Sequence, residues 1–350
     1  MKYYLPTQII LGKWEEEIKD AIDSFCAKKL LFVMSGSFFM EEIGKIKKIL
    51  NGCEIKVFDK ISPNPSPEII QEAKISAQGA DLIIGFGGGS AMDAAKMIAR
   101  DLKLPCLEIP TTAGTGSEIT PFAALYTQDK KQSCTPGYPT MALVDWRLSA
   151  TMPREVAASS GLDALSQAIE AYWNVNSNSL TDLHAKEAIR LASQNLEKAV
   201  SGDDESREKM SLAALEAGMA FSQTKTSAPH SVAYPFTIFY KISHGFACAL
   251  TLPYFLIYNS KVSAKDCAHP KGSDFVRQRT EEIAFLMGAS TVDAAKQKIL
   301  NIMENVGALR KVAFDEDLIV KNGFSPERMI NNPRRVTEAD LRIILKNIKK

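Results

Sequence analysis

The sequence has little of what would mark a secreted, membrane-bound or nucleic-acid-binding protein. Its 350 residues include six cysteines, none in a CxxC spacing, so neither a disulfide framework nor a cysteine-rich zinc site is indicated. The formal net charge is only +1, which leaves no concentrated basic surface for nucleic acid or anionic lipid. No apolar run reaches the ~18–20 residues that cross a bilayer, and MKYYLPTQIILGKW lacks the pattern of a secretory signal. We expect a soluble, cytoplasmic protein with reduced thiols that binds neither nucleic acid nor membrane.

The chain is long enough for two hydrophobic cores, since single cores stop growing near about 250–300 residues. Between residues 29 and 145, β-rich runs such as KLLFVMSG, CEIKVF and ADLIIGFGGG alternate with amphipathic stretches such as EEIGKIKKIL and EIIQEAKISAQ. That alternation predicts βαβ units with a parallel sheet. From about residue 155 helical spacing takes over, as in GLDALSQAIEAYW, and TMPREVAASS looks like the join. We predict an α/β domain over 1–155 and an all-helical domain over 156–350.

A glycine-rich turn, GFGGGSAMDAAK, lies between an apolar strand run and a predicted helix. Its glycines let the backbone approach a ligand closely, and the unpaired amides at the helix start attract an anion, typically a phosphate. Glycine needed only for tight packing is the alternative. The turn fits neither GxGxxG nor GxxxxGK[ST], which argues against a P-loop ATPase. A second turn, PTTAGTGSEIT at 110–120, follows the next strand, and two such loops at neighbouring strand ends favour a dinucleotide.

The helical half contains a candidate metal site. Asp163 and Gln167 are four residues apart, which places both on one helix face, and His230 and His244 follow fourteen residues apart from each other. A carboxylate and two imidazoles suit Fe(II) or Zn(II), with a weak oxygen donor or water in the fourth position. The other two histidines are expected to be ordinary core or surface groups.

The motifs GGGSAMDAAK, PTTAGTGSEIT, GLDALSQAIEAY, the His230 segment and the HG of KISHG follow one another as in a known family. The chain resembles the iron-containing (group III) alcohol dehydrogenases over nearly its whole length. The resemblance implies a Rossmann-like dinucleotide-binding domain, a helical metal-binding domain and an active site in the cleft between them. It also implies a homodimer or larger assembly.

The resemblance carries roles over to individual residues. It implies that one set lines the pyrophosphate and nicotinamide: Gly87, Gly88, Gly89, Ser90 and Asp93, with Thr111, Thr112, Thr115 and Ser117 beside them and Lys131 near the cofactor. It implies a divalent metal, Fe(II) or Zn(II), on Asp163, Gln167, His230 and His244.

This sequence departs from the family pattern at three positions. Gln167 stands where the family usually has histidine, which weakens affinity for soft metals and leaves open a metal-free reductase like the maleylacetate reductases. Tyr234 replaces a histidine thought to assist proton transfer, and either relays a proton or packs as an apolar ring. Ser35 replaces the aspartate that binds the ribose 2′-hydroxyl in NAD-using relatives, so we expect NADP(H), with NAD(H) the alternative.

The resemblance implies a reaction in which the metal polarises a carbonyl oxygen while the reduced nicotinamide delivers hydride to the carbonyl carbon. Three segments, SPNPSPEII, KTSAPHSVAYPFT and EAYWNVNSN, look closest to phosphonoacetaldehyde reductases, which form 2-hydroxyethylphosphonate. The alternatives are a general alcohol dehydrogenase or aldehyde reductase of the family, a dehydroquinate synthase-like lyase and a noncatalytic nucleotide-binding protein.

Overall fold

The computed structural model describes residues 2–36, 39–127, 131–308 and 311–349. The chain forms two compact units, one of Leu5–Thr151 and one of Met1–Tyr4 together with Met152–Lys350. Within the described ranges, no helix combines the length and hydrophobicity that crossing a bilayer requires. All six cysteines carry free thiols.

The first unit alternates strands and helices, as predicted. Its elements are β1 (Gln8–Leu11), α1 (Trp14–Ser24), β2 (Lys29–Val33), α2 (Met40–Ile49), β3 (Glu54–Phe58), α3 (Pro67–Ser76), β4 (Leu82–Gly87), α4 (Gly89–Leu102), β5 (Cys106–Pro110), β6 (Ala123–Tyr126), β7 (Lys131–Cys134), β8 (Met141–Val144) and α5 (Trp146–Ser149).

Six of these strands form one parallel sheet in the order β1-β8-β5-β4-β2-β3. Its two faces pack into separate cores, as alternate residues of β2 show: Leu30 and Phe32 join one core, whereas Leu31 and Val33 join the other. A strand buried on both faces reads as a continuous apolar run, which explains why KLLFV was recognisable in the sequence. The α/β prediction is confirmed.

The second unit is helical, as predicted. Its helices are α6 (Arg154–Trp173), α7 (Ser179–Val200), α8 (Asp204–Thr224), α9 (Ala228–Tyr240), α10 (His244–Ser260), α11 (Ser273–Leu286), α12 (Val292–Asn305), α13 (Glu316–Gly323), α14 (Pro326–Met329) and α15 (Glu338–Lys346).

Two features of the fold differ from the sequence analysis. The helix that was predicted from GLDALSQAIEAYW begins earlier, at Arg154, although the division between the two units does fall within TMPREVAASS, after Thr151. Its small residues serve helix packing rather than a loop, as described below for Ser159. In addition, β6 and β7 form a separate antiparallel pair, which four-residue, partly polar strands did not reveal in the sequence.

Candidate active site

The glycine turn joins β4 to α4 and lies against the loop that follows β5. A Cβ atom on Gly88 would lie 3.1 Å from Cγ2 of Thr112, and one on Gly89 would lie 2.9 Å from Cγ2 of Thr115. The backbone amide of Thr111 donates to the carbonyl of Gly87 at 2.9 Å. The two predicted cofactor loops therefore touch, and the glycines are required by this contact as well as by the amides that the start of α4 offers to an anion.

The polar residues of these loops differ in what they bind. Oδ1 of Asp93 accepts from the Ser117 hydroxyl at 2.5 Å and Oδ2 from the Ala124 amide at 2.8 Å, so this carboxylate holds the loop to α4. The Ser90 hydroxyl accepts from the Asn64 amide at 3.3 Å. By contrast, the buried Thr112 hydroxyl has no hydrogen-bond partner in the described part of the chain, so it remains able to contact a ligand.

Ser35 is the second residue after β2 and lies beside the glycine turn, because β2 and β4 are neighbours in the sheet. Its amide nitrogen lies 4.0 Å from the position that a Cβ atom on Gly87 would take. The backbone of Lys131 begins β7. The predicted contact of the Lys131 side chain with the cofactor lies outside the described residues.

Two buried charged residues, Lys96 and Glu118, lie at the second loop. Lys96 is 2% exposed, and its ammonium donates to the carbonyls of Ser117 at 2.9 Å and Thr120 at 3.2 Å. Glu118 lies next to Ser117 and is buried as well. Burial raises the pKa of the Glu118 carboxyl to about 7, although the charge of Lys96 works in the other direction.

In the helical unit, three helices bring four donor side chains together. One ligand atom each from Asp163 on α6, His230 on α9, and His244 and Cys248 on α10 lie within 4.8 Å of one another. Nε2 of His230 is 3.1 Å from Oδ1 of Asp163, and Sγ of Cys248 is 3.8 Å from Nε2 of His244. Three of the four predicted metal ligands therefore meet at one point, with a thiol added to them.

Gly245 brings α10 close enough for this meeting. A Cβ atom at this position would lie 1.8 Å from the carbonyl oxygen of Ser159 and 3.0 Å from the amide nitrogen of Asp163, both on the α6 backbone. Glycine is required here because the two helices are in backbone contact. His244, the first residue of α10, consequently lies beside Asp163.

Glu170 fixes the orientation of His230. Its Oε1 contacts Nδ1 of His230, while its Oε2 accepts from the amide of Ser227 at 2.7 Å and from its hydroxyl at 2.9 Å. Because Nδ1 faces a carboxylate, Nε2 is the nitrogen left to bind an ion, as in carboxylate–histidine–metal arrangements. Burial works to lower the pKa of His230, but Cys248, Glu170 and Asp163 together raise it well above its usual value.

Gln167 lies one helical turn after Asp163 and is only 4% exposed. Its side-chain oxygen has no hydrogen-bond partner among the residues that the structure describes. A buried amide oxygen without a partner is costly, and a cation is one group that would satisfy it.

An aromatic stack continues outward from His244. The Tyr234 ring lies parallel to the His244 ring at 5.4 Å between centroids, with 9° between their planes. On the Tyr234 ring lies the guanidinium of Arg328, with Cζ 4.1 Å from the centroid. The positive charge of Arg328 is thus separated from the candidate metal ligand His244 by one aromatic ring, that of Tyr234.

The donor set fits a divalent ion. In a tetrahedral site the ligand atoms lie about 3.3 Å apart for nitrogen and oxygen and about 3.6 Å apart for nitrogen and sulfur, given the usual bond lengths. Two distances in this cluster, 3.1 Å between His230 and Asp163 and 3.8 Å between Cys248 and His244, are near those values. Zn(II) and Fe(II) both accept carboxylate, imidazole and thiolate ligands.

A parallel sheet with a glycine turn at a helix start, together with a helical unit that gathers candidate divalent-metal ligands, is the combination expected of a metal-dependent dehydrogenase. Residues 6–146 match the model of the iron-containing alcohol dehydrogenase family, and residues 157–349 match the model of its C-terminal part. The chain belongs to the iron-containing alcohol dehydrogenase family. It is an oxidoreductase of a family that binds NAD(P) and a divalent metal.

Individual relatives cover different lengths. The chain is 35% identical over 295 residues to an NADPH-dependent butanol dehydrogenase of Clostridium saccharobutylicum, a match that covers 75% of each chain. It is 32% identical over 353 residues to aldehyde-alcohol dehydrogenase 2 of Entamoeba histolytica, covering 86% of this chain but only 41% of that protein. The structure of sulfoacetaldehyde reductase from Bifidobacterium kashiwanohense in complex with NAD⁺ matches with a TM-score of 0.90 at 29% identity, covering 99% of this chain and 98% of that one.

Three residues of the site, Glu170, Cys248 and Arg328, were not predicted from the sequence. Spacing offered a signal for the first two, because Glu170 is seven residues after Asp163 and Cys248 is four after His244, which are helical repeats on one face. For Arg328 no local pattern existed, since it meets Tyr234 only through the packing of α14 against α9.

Proposed function

We propose that the protein reduces phosphonoacetaldehyde to 2-hydroxyethylphosphonate, with NADPH as the hydride donor and a divalent metal held by Asp163, His230 and His244. The main support for an anionic substrate is the guanidinium of Arg328, which lies on the Tyr234 ring, which in turn stacks on His244. A short aldehyde with a terminal anion suits this arrangement, since its carbonyl can face the donors while its anionic group faces the guanidinium.

The separation within the stack supports a short substrate. The ring centroids of His244 and Tyr234 are 5.4 Å apart, and Cζ of Arg328 is 4.1 Å from the centroid of the Tyr234 ring. A ligand whose carbonyl faces the donor cluster and whose anion faces the guanidinium has to pass the Tyr234 ring, which favours a small aldehyde over a bulky one.

A divalent ion, when bound, supplies Lewis-acid polarisation of the carbonyl. The chain's own residues do the rest. Glu170 holds His230 in one ring orientation, and the burial of Asp163 and His230 keeps water from the reacting carbonyl. After hydride transfer the product alkoxide needs a proton, which we assign to the hydroxyl of Tyr234.

On the cofactor side we assign the pyrophosphate to the amides of the glycine turn and to the neighbouring hydroxyls. The assigned residues are Gly87, Gly88, Gly89, Ser90, Asp93, Thr111, Thr112, Thr115 and Ser117. The assignment is supported by the contact between the two loops and by the position of the turn at the start of α4. Ser35 beside the turn supports NADP(H), because no carboxylate at that position repels a 2′-phosphate.

A second candidate substrate is sulfoacetaldehyde. It is favoured by the likeness to the sulfoacetaldehyde reductase of B. kashiwanohense, and it places a sulfonate where phosphonoacetaldehyde has a phosphonate. Both compounds require the same cation, whereas a general aldehyde reductase does not.

The test follows NADPH absorbance with phosphonoacetaldehyde, sulfoacetaldehyde, propanal and lactaldehyde, with Zn(II) or Fe(II) and after chelation. We expect kcat/KM for the phosphonate to exceed that for propanal by at least tenfold. Arg328→Ala should lower kcat/KM for the anionic aldehydes by about 10–150-fold, the worth of a charged hydrogen bond, and leave propanal nearly unchanged. Arg328→Lys should recover part of the loss.

Arg190→Ala is the matched control, because Arg190 is an exposed arginine of the same unit that pairs with Glu187. Equal loss for charged and neutral aldehydes in Arg328→Ala would refute the substrate assignment. Turnover that survives complete chelation would refute the metal and favour a metal-free reductase.

Tyr234→Phe separates the two roles of the ring, because phenylalanine retains the stack on His244 and lacks the hydroxyl. If the hydroxyl delivers the proton, kcat for aldehyde reduction falls while KM stays close to the wild-type value. Unchanged kcat over the pH range would show that the ring has a packing role only.

A further inference from the structure

Cys248 lies inside the candidate metal centre, although cysteine was not among the predicted ligands. Its side chain is fully buried on α10, one helical turn after His244. Its Sγ atom belongs to the same 4.8 Å group as the donor atoms of Asp163, His230 and His244. Among the described residues, Gln167 is the other side chain that could complete the set.

The geometry places the thiol among the donor atoms. The Sγ of Cys248 is 3.8 Å from Nε2 of His244, close to the ~3.6 Å edge between a sulfur and a nitrogen ligand of one tetrahedral ion. Cys248 and His244 lie one turn apart on the same face of α10, and the backbone contact of α10 with α6 at Gly245 brings this face beside Asp163.

Chemistry favours the thiol as well. A neutral amide oxygen is a weak ligand for transition metals, whereas a thiolate is among the strongest ligands for Zn(II). A thiolate beside one carboxylate also balances the two charges of the ion, which matters in a site where three of the four donor residues are at most 4% exposed.

We propose that the thiolate of Cys248, rather than Gln167, is the fourth protein ligand of the metal, and that it makes this a site selective for Zn(II) over Fe(II). The thiol proton leaves to solvent as the ion binds, and the sulfur forms one bond to the metal. Asp163, His230 and His244 supply the other three protein bonds, and a carbonyl would be polarised at an additional coordination position, as in catalytic zinc sites that expand to five ligands. The inference deepens the proposed function, because it requires that a metal binds at this site.

X-ray absorption on the full-length protein loaded with one equivalent of Zn(II) tests the ligand directly. We expect one sulfur scatterer at about 2.3 Å together with nitrogen and oxygen at about 2.0–2.1 Å. Co(II) in place of Zn(II) should show a thiolate-to-cobalt charge-transfer band in the near ultraviolet. Neither readout depends on enzyme activity.

Three variants complete the design. Cys248→Ser should lose the sulfur scatterer and the charge-transfer band and bind Zn(II) about a hundredfold more weakly or worse, beyond the cost of losing an outer-shell partner. Gln167→Ala should keep both signals with Zn(II) affinity changed by no more than a few-fold. Cys267→Ser, which alters a partly buried thiol of the same unit that donates to the His269 carbonyl, should behave as wild type.

The outcomes separate this inference from the proposed function. A Zn(II) site with only nitrogen and oxygen around the ion overturns the role of Cys248 and leaves the metal-dependent reductase standing. Failure of the wild-type protein to bind Zn(II) or Co(II) overturns both. If Cys248→Ser does not fold, the X-ray absorption spectra of wild type and Gln167→Ala still test the ligand assignment, because each spectrum either contains or lacks a sulfur scatterer bound to the metal. If Fe(II) binds as tightly as Zn(II) in a competition experiment, the proposed selectivity for Zn(II) is overturned.

Discussion

At the scale of single residues, Ser35 has the clearest consequence for cofactor choice. It lies beside the glycine turn, where a carboxylate would repel a 2′-phosphate. We expect Ser35→Asp to raise KM for NADPH by at least tenfold, which corresponds to about 1.4 kcal/mol, and to lower KM for NADH. Ser35→Asn, of similar size and without charge, is the control. Equal effects of both variants on NADPH would contradict the electrostatic reason.

Glu118 predicts a pH dependence of stability. Its folded pKa of about 7 lies above that of an exposed glutamate, because burial favours the protonated form. A raised folded pKa contributes stability that is present below the unfolded pKa, near about 4.5, and is lost as the pH rises through about 7. Glu118→Gln mimics the protonated group and does not lose this stability. The Tm of the variant minus the Tm of wild type should therefore be larger at about pH 8 than at about pH 5.

Melting curves of both proteins at the two pH values measure this gain. Glu205→Gln is the control, because Glu205 is an exposed acid paired with Lys209 on the surface of α8. A Tm difference between Glu118→Gln and wild type that is the same at both pH values would argue that Glu118 is ionised in the folded state throughout this range.

At the scale of helices, the contact between α6 and α10 decides whether the metal ligands meet. We expect Gly245→Ala to destabilise the protein by at least about 2 kcal/mol, because the added methyl overlaps the Ser159 carbonyl and must push two backbones apart. Zn(II) affinity should fall in parallel, since His244 and Cys248 move with α10.

A glycine-to-alanine substitution at another helical position provides a control that should change the stability in the opposite direction. Gly44 lies in the exposed part of α2, and a Cβ atom there has no atom within 4 Å. Gly44→Ala should stabilise the protein by about 0.5–1 kcal/mol, because alanine loses less backbone entropy in a helix. Urea unfolding measures both variants, and a Gly245→Ala protein as stable as wild type would refute the close contact.

Elements differ in how much of them could be predicted from the sequence. The strands β2, β4, β5 and β8 were recognisable, because buried parallel strands are short apolar runs between turn residues, and the edge strand β3 was recognisable from its alternation of polar and apolar residues. The strands β6 and β7 were not, since strands of four residues with polar positions have no such signature. The start of α6 was predicted too late in the chain, because small residues such as alanine and serine are weak helix signals by themselves but permit close helix packing.

The candidate metal centre divides in the same way. Asp163, His230 and His244 were predicted from the family motifs, and the structure brings them together. Cys248 and Glu170 lie on the same helix faces, but buried cysteine and glutamate side chains have many ordinary roles. Their relevance depends on the distance between helices, which no single segment encodes. Arg328 depends on tertiary packing entirely.

At the scale of the whole molecule, the two ligands are assigned to different units. We expect Zn(II) to slow amide hydrogen exchange in α6, α9 and α10, and NADPH to slow it at the glycine turn and the 110–120 loop. Each ligand at about a hundredfold excess over its Kd should stabilise its unit by about 2.7 kcal/mol. Chelation should reverse the first effect and leave the second.

Exchange measured by mass spectrometry, segment by segment, follows these changes. Asp163→Asn is the matched variant, since it removes the carboxylate ligand while keeping its shape, and it should abolish the response to Zn(II) but not that to NADPH. Slower exchange on adding Zn(II) that is confined to segments outside α6, α9 and α10 would contradict the assigned metal centre.

The contact of Gly88 and Gly89 with Thr112 and Thr115 has a practical consequence for redesign of this enzyme. A larger side chain introduced in either turn would push against the other, so substitutions in the two turns are expected to be non-additive. Libraries that vary one turn alone would lose most members to misfolding. Paired libraries, or changes restricted to the end of β2, are the routes by which the coenzyme preference of this chain can be altered without loss of the fold.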